Sequence, residues 1–268
     1  MKLTFVYKQT WLHRVNPSLK LILSLLMLII MLFIHQIDVM VYMAGLLLII
    51  LFTSTGHPKK RLLLYASPML LLFISSMSTM TLFGKGTTVW FDYGPIHVTE
   101  EGFIRGLHIG LRALCFSAVG LLFALSTRPV LLFYSLMQQL KLPPKYAYSF
   151  MAGIRLIPMM VEELQTLRHA LQVRGSDRSG LAGLWLKLRR YAVPMLAQSI
   201  RRAQRIAVAM EAKRFAGIGP RTYYYVVSVS RFDLLCLIGV VVVMGISFWA
   251  GQRFPLFDVE DVRFIDGP

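Results

Sequence analysis

The chain has 268 residues, enough for one large domain or two small ones, and 56% of them are hydrophobic, with a mean hydropathy of +0.60. Globular domains carry roughly 45–50% apolar residues, so this composition points to the membrane. The formal charge of +16 argues for nucleic acid only where basic residues share a soluble face; here most of them flank or follow apolar spans, and nucleic acid is not an expected partner.

A membrane-spanning helix needs about 20 mostly apolar residues. In chain order the expected spans are 19–37, 39–55, 62–83 and 107–125, with a fifth at 232–251 that contains LLCLIGVVVVMGISFWAG. The first lacks the A-x-A-like end of a cleaved signal peptide and reads as a membrane anchor. Arg112 falls in the first turns of the fourth, where an arginine either snorkels to the interface or faces a protein interior. The stretch 84–106 is rich in glycine and β-formers and is expected to form an external loop holding a small hairpin. Its GKGTT lacks the upstream glycine of a phosphate-binding loop and reads as a turn. Cys115 and Cys236 lie inside apolar runs, without CxxC spacing, and read as buried thiols.

The charges orient these spans. With the N-terminus inside the cell, segments 1–18, 56–61 and 126–231 together with Lys20 hold 24 of the 29 Lys and Arg residues. The external segments hold eight acids: Asp38, Asp92, Glu100, Glu101, Asp258, Glu260, Asp261 and Asp266. This positive-inside asymmetry predicts an internal N-terminus and a short acidic C-terminal tail outside, and the lipid bilayer is the first expected partner.

Residues 126–231 read neither as a soluble domain nor as ordinary spans, so the expected organisation is a membrane region at 1–125, this block, and a last span with its tail at 232–268. RPVLLFYSLMQQL (128–140) reads as a short amphipathic helix closed by LPP. Residues 145–175 form a second helix, apolar first and charged later, with Pro158 placed to kink it where the character changes. Residues 181–214 form a third, whose apolar positions recur mostly every three or four residues, with Lys187, Arg190, Arg201 and Arg205 largely on the other side. The second and third helices share a plan. Each carries a proline (Pro158, Pro194) near methionines (Met151, Met159 and Met160; Met195), then a basic stretch. Methionine is pliable and suits surfaces that repack against partners. Each helix closes on a cation beside a turn: Arg174-Gly175 in one, Lys213-Arg214 in the other, after Glu211 and before Gly217. Cations stabilise helix C-termini, but repetition at two basic helix ends suggests tips that fit a carboxylate-lined groove on a partner.

Catalytic patterns are absent from the sequence. There is no HExxH, the histidines have no metal-ligand spacing, and no GxSxG elbow appears. Glu162 and Glu163 are adjacent on a helix and point about 100° apart. They read as partners of Arg155, Arg168 or neighbouring basic groups. An integral-membrane enzyme would need a cluster of acids or histidines. A basic membrane-surface binder would bind in a strongly salt-dependent way and would leave the charge asymmetry unexplained.

The stretches TRPVLLFYSLMQQLKLPPKYAYSFMAGIRLIPMMVEEL, VRG and AMEAKRF, with the opening HRVNPSLKLI, resemble the transmembrane T component of energy-coupling-factor transporters, the prokaryotic micronutrient importers. The resemblance spans nearly the whole chain and is most specific over 126–217. It implies an all-α integral membrane protein of about five transmembrane helices with a cytoplasmic block of long coupling helices. It also implies a non-catalytic subunit that binds no cofactor, with ATP and Mg used by two partner ABC-type ATPases. The tips dock in those ATPases: Arg174 and Gly175 at the first, and Glu211, Lys213 and Arg214 at the second. Met151, Met159, Met160 and Met195 face a separate substrate-binding membrane subunit. Where the family commonly reads Ala-Arg-Gly, this chain reads Ala212-Lys213-Arg214, so Lys213 takes the arginine's place and Arg214 the glycine's. The implied cargo is a vitamin, with thiamine or its pyrimidine precursor favoured by the opening segment, or a transition-metal ion.

Overall fold

A computed structural model describes residues 10–84, 86, 88–93, 96–174, 181–215, 222–228, 230–257, 259 and 261–262, the backbone alone at a few of them. Among the described residues eight α-helices and one two-stranded hairpin account for the regular structure, after a single 3₁₀ turn at Trp11–Arg14. The chain divides into two compact units, Met1–Ser135 with Val227–Pro268, and Leu136–Val226.

The first unit is a helical bundle. α1 (Pro17–Phe33) starts where Pro17 occupies the first helical position and the Asn16 side chain accepts the Ser18 N–H. α2 is Ile37–Ser54, α3 Lys59–Phe83, α4 Glu100–Ser126 and α8 Arg231–Arg253. These four are long and apolar enough to cross a membrane, whereas α1 has 17 residues, about 26 Å of helix. The architecture is that of an all-α integral membrane protein. Leucines on α3 such as Leu64 and Leu71 are 68% and 67% exposed, as a lipid-facing surface requires.

Two expected boundaries are corrected. The span at 19–37 breaks at Phe33, because Ile34 to Gln36 are non-helical and Ile37 already belongs to α2. The freed Ile34 carbonyl accepts a hydrogen bond from Arg112 Nη2 at 2.8 Å. The fourth span begins at Glu100 rather than 107, because Thr99 caps it by accepting the Gly102 N–H and two acids occupy its first turn. Arg112 therefore sits mid-helix and faces the protein interior. The expected hairpin is present as β1 (Val89–Tyr93) and β2 (Ile96–Thr99), antiparallel, and the buried Glu101 carboxylate accepts from the Thr88 N–H and hydroxyl. Lys85 and Thr87 of GKGTT lie outside the described residues.

Close packing inside the bundle rests on small residues. Gly102, Gly106 and Gly110 recur every four residues on α4, and all three are buried. A Cβ on Gly106 would stand 2.8 Å from the Met77 carbonyl oxygen of α3, and one on Gly110 would stand 3.2 Å from the Phe73 ring. Glycine there lets two backbones approach, as small-residue stripes do in membrane helix pairs.

Both ends of the bundle are tied by polar contacts. At the end where α1 and α8 start and α2 and α4 finish, Asp233 accepts the Asn16 N–H at 2.7 Å and the Ser230 N–H at 2.8 Å. Thr10 Oγ1 donates to the Ser54 carbonyl, and Lys20 Nζ donates to the Ser126 carbonyl at 3.0 Å. At the opposite end the segment after α8 is a strap. Asp38 Oδ1 accepts the Leu256 and Phe257 N–H groups, Tyr42 donates to the Phe254 carbonyl, and the Val262 N–H donates to His35. Cys115 and Cys236 are buried free thiols, as their apolar surroundings predict.

Candidate coupling tips

The second unit contains α6 (Pro144–Val173) and α7 (Leu181–Ala212), preceded by α5 (Pro129–Gln139). At 1.5 Å per residue α6 is about 45 Å long and α7 about 48 Å. The LPP sequence places Pro144 at the first helical position of α6, where its missing N–H is no loss. Pro158 and Pro194 both lie inside continuous helices.

The two helices meet through side chains near their middles. Ser199 Oγ lies 3.8 Å from Met160 Sδ, and Arg202 pairs with Glu163 at 3.8 Å. The basic group that Glu163 pairs with is thus a neighbouring one on the other helix. The end of α7 also meets the first turns of α6, where the Phe215 and Tyr148 rings sit edge to face with centroids 5.2 Å apart.

These contacts carry a regularity. Met160 pairs with Ser199 at a separation of 39, and Glu163 with Arg202 at the same separation. The same offset relates Arg174 to Lys213, not to Arg214. Each of the two cations, Arg174 and Lys213, therefore stands about three helical turns past its contact pair.

The two tips differ in backbone. Arg174 closes α6 with φ −77° and ψ 4°, its N–H bonded to the Ala170 carbonyl at 3.3 Å. At the end of α7 the Phe215 N–H reaches the Met210 carbonyl at 2.9 Å and the Arg214 N–H reaches Glu211 at 2.8 Å. That pair of bonds is a Schellman closure, and its left-handed residue is Arg214, with φ 55°. Glycine favours this conformation because it has no Cβ to clash; a non-glycine residue held there costs about 1–3 kcal/mol. Lys141 ends α5 in the same conformation, with φ 53°. Arg174, Glu211, Lys213 and Arg214 are all exposed, while Gly175 and Gly217 lie outside the described residues.

The faces above the tips are apolar and open. On α6, Phe150, Ile157, Met159 and Val161 are exposed; on α7, Val193, Leu196, Ile200 and Val208 are exposed. Met160 and Met195 are half-buried. Met151 is buried, so its side chain belongs to the packing of the block and not to an open face. Among the described residues no three His, Cys, Asp or Glu side chains gather as a metal site.

The fold defines an integral membrane protein that carries two long helices, each ending in exposed cations. Comparison with known proteins assigns its kin. The family model CbiQ, described as a cobalt transport protein, matches residues 8–224, and the chain belongs to this family of EcfT/CbiQ-type T components. An energy-coupling factor transporter transmembrane protein EcfT of Macrococcus caseolyticus is 28% identical over 88% of this chain and 92% of its own length. Proteins of the same name from Limosilactobacillus fermentum and Heliobacterium modesticaldum are 28% and 29% identical, over 93% and 84% of this chain and 96% and 92% of their own lengths.

The glycine stripe on α4 was not read from the sequence. Its signal is present in the spacing of Gly102, Gly106 and Gly110, four residues apart within an apolar helix.

Proposed function

We propose that this chain is the transmembrane scaffold of an ATP-driven importer, non-catalytic itself, that links two ABC-type ATPases to a substrate-binding subunit in the membrane. Arg174 docks in one ATPase and Lys213 in the other. The observation that carries this reading is the pair of exposed cations standing at equal spacing past the contacts between α6 and α7. Family membership and the relatives' shared name support it. ATP and Mg are used by the ATPases, whose closure moves the tips. The open apolar faces of α6 and α7, Met159 among them and the half-buried Met160 and Met195 beside them, take the substrate-binding subunit. Exposed apolar residues on both helices support an interaction surface there.

Lys213 is the docking cation of the second tip because Arg214 occupies the left-handed position, which in an Ala-Arg-Gly ending belongs to the glycine. The positive-inside asymmetry supports tips and N-terminus on the cytoplasmic side, with the strap outside. The cargo we propose is a vitamin such as thiamine or its pyrimidine precursor; the family's description as a cobalt transport protein favours a metal ion as the second reading.

The test is co-purification. Arg174→Glu combined with Lys213→Glu is expected to insert normally and lose both ATPases, and undiminished ATPase recovery contradicts the proposal. Uptake of labelled thiamine and of cobalt by cells expressing the complete transporter separates the two cargo readings.

A further inference from the structure

A groove of about 460 Å³ opens in the wall of the bundle, lined by α1, α2, α4 and α8 and by Trp11 and Leu12. Its volume falls within the roughly 300–1,000 Å³ of ligand pockets. The wall is aliphatic and aromatic along its length, with Met27, Phe123 and Val243 among its lining residues. Gly239 contributes to the space directly, because a Cβ built on it meets nothing within 4 Å.

The polar groups of the lining concentrate at one end. Lys20 is 6% exposed; among the described residues no carboxylate stands within ion-pair distance of it, and Asp233 acts on it from farther away. Its ammonium has three donors, and the structure gives it the Ser126 carbonyl at 3.0 Å and the Ser126 hydroxyl at a long 3.4 Å. Asp233, the acid anchored at the same end, already accepts two backbone N–H groups. A buried ammonium held by one carbonyl, one hydroxyl and a carboxylate beyond ion-pair distance is costly, and a closer anion would offset that cost. Arg14 adds a second, exposed cation at this end, seated over the Phe232 ring at 5.7 Å.

Length and depth narrow the occupant. The lining runs from Lys20 to Met27 on α1 and from Leu235 to Val243 on α8, about 10–12 Å of helix. It starts at the bundle end and stays within one leaflet, half of a hydrocarbon core about 30 Å thick. Trp11 stands at the mouth, as tryptophans do at the membrane interface. An aliphatic slot of one leaflet's depth with a cation at its polar end matches an amphiphile that has a hydrocarbon chain and an anionic head. We propose that the groove holds one acyl chain of an anionic glycerophospholipid, with its phosphate at Lys20. The site is independent of the transport reading and requires only that the bundle sits in a bilayer.

The full-length chain, delipidated in mild detergent, is titrated with phosphatidylglycerol or with phosphatidylcholine of the same chains and read by native mass spectrometry. Wild type is expected to bind phosphatidylglycerol about tenfold more tightly, the scale of one charge-assisted hydrogen bond. Lys20→Met brings the two lipids to parity, Lys20→Arg keeps the preference, and Gly239→Phe or Gly239→Leu abolishes both by filling the slot. Equal affinity of wild type for the two lipids overturns the proposal without any variant. So does binding that survives both Gly239 substitutions in monodisperse protein, or displacement of the lipid by the substrate-binding subunit, which assigns the groove to a protein helix.

Discussion

α4 and α6 are similar in length, 27 and 30 residues, but their burial is opposite. α4 buries eleven residues, among them the three glycines that admit α3, while α6 buries Ala147 and Met151. Buried acids of the bundle bind backbone donors inside it, as Asp233 does for two N–H groups at 2.7 and 2.8 Å. The α6–α7 pair meets through contacts such as Arg202 with Glu163 and leaves apolar residues of both helices exposed. One region buries much of its surface within itself; the other leaves most of its apolar surface open.

The same substitution placed in each region tests this contrast. Asp233→Ala orphans two backbone donors at a buried junction and is expected to destabilise the bundle by about 1–3 kcal/mol for each donor. Glu163→Ala, which removes the partly exposed contact with Arg202, is expected to cost at most about 1 kcal/mol. Thermal unfolding in detergent, followed by size-exclusion chromatography, reads both, and equal losses would break the contrast. Gly106→Leu drives a side chain against the Met77 carbonyl and is expected to cost about 1–3 kcal/mol. Gly153→Leu on α6 meets nothing within 4 Å at its Cβ and is expected to stay within about 0.5 kcal/mol of wild type.

Smaller effects sharpen the picture at the tips and at the N-terminal turn. Arg214→Gly relieves the left-handed strain and is expected to gain about 1 kcal/mol, read as slower amide exchange at Arg214 and Phe215 with the bundle unchanged. Loss of protection there would mean that the arginine side chain, not the backbone, holds the closure. His13 lies before α1, and burial, with Lys20 second, holds its pKa below the ordinary 6.5. Folding therefore favours the neutral ring: its contribution is present above pH 6.5 and falls as the pH drops through the folded value. His13→Gln is expected to flatten that part of the pH–stability curve.

Much of this was legible because local chemistry and long-range packing agree. LPP sets the start of α6, the three-and-four spacing marks α7, and the apolar runs at 39–55, 62–83 and 232–251 are helices. The misread boundaries came where apolar composition hides a break. Ile34 and Ile37 look continuous with α1, yet the chain turns between them because Arg112, 78 residues away, takes the Ile34 carbonyl. No local pattern encodes such a contact. Likewise Ala212-Lys213-Arg214 shows a basic pair, but which member leaves the helical conformation depends on the bonds from Arg214 and Phe215 back to Glu211 and Met210. The cross-helix partner of Glu163 required two helices to be placed together before it could be named.

The central claim is that Arg174 and Lys213 are the docking cations. Cys115 and Cys236 are buried, so a cysteine introduced at position 174, 213 or 214 becomes the accessible thiol of this chain. Cross-linking from each position to the co-assembled ATPases, with a short bifunctional reagent, tests the assignment. Strong products from 174 and 213 and weak ones from 214 are predicted; strong products from 214 alone, or from none of the three, contradict it.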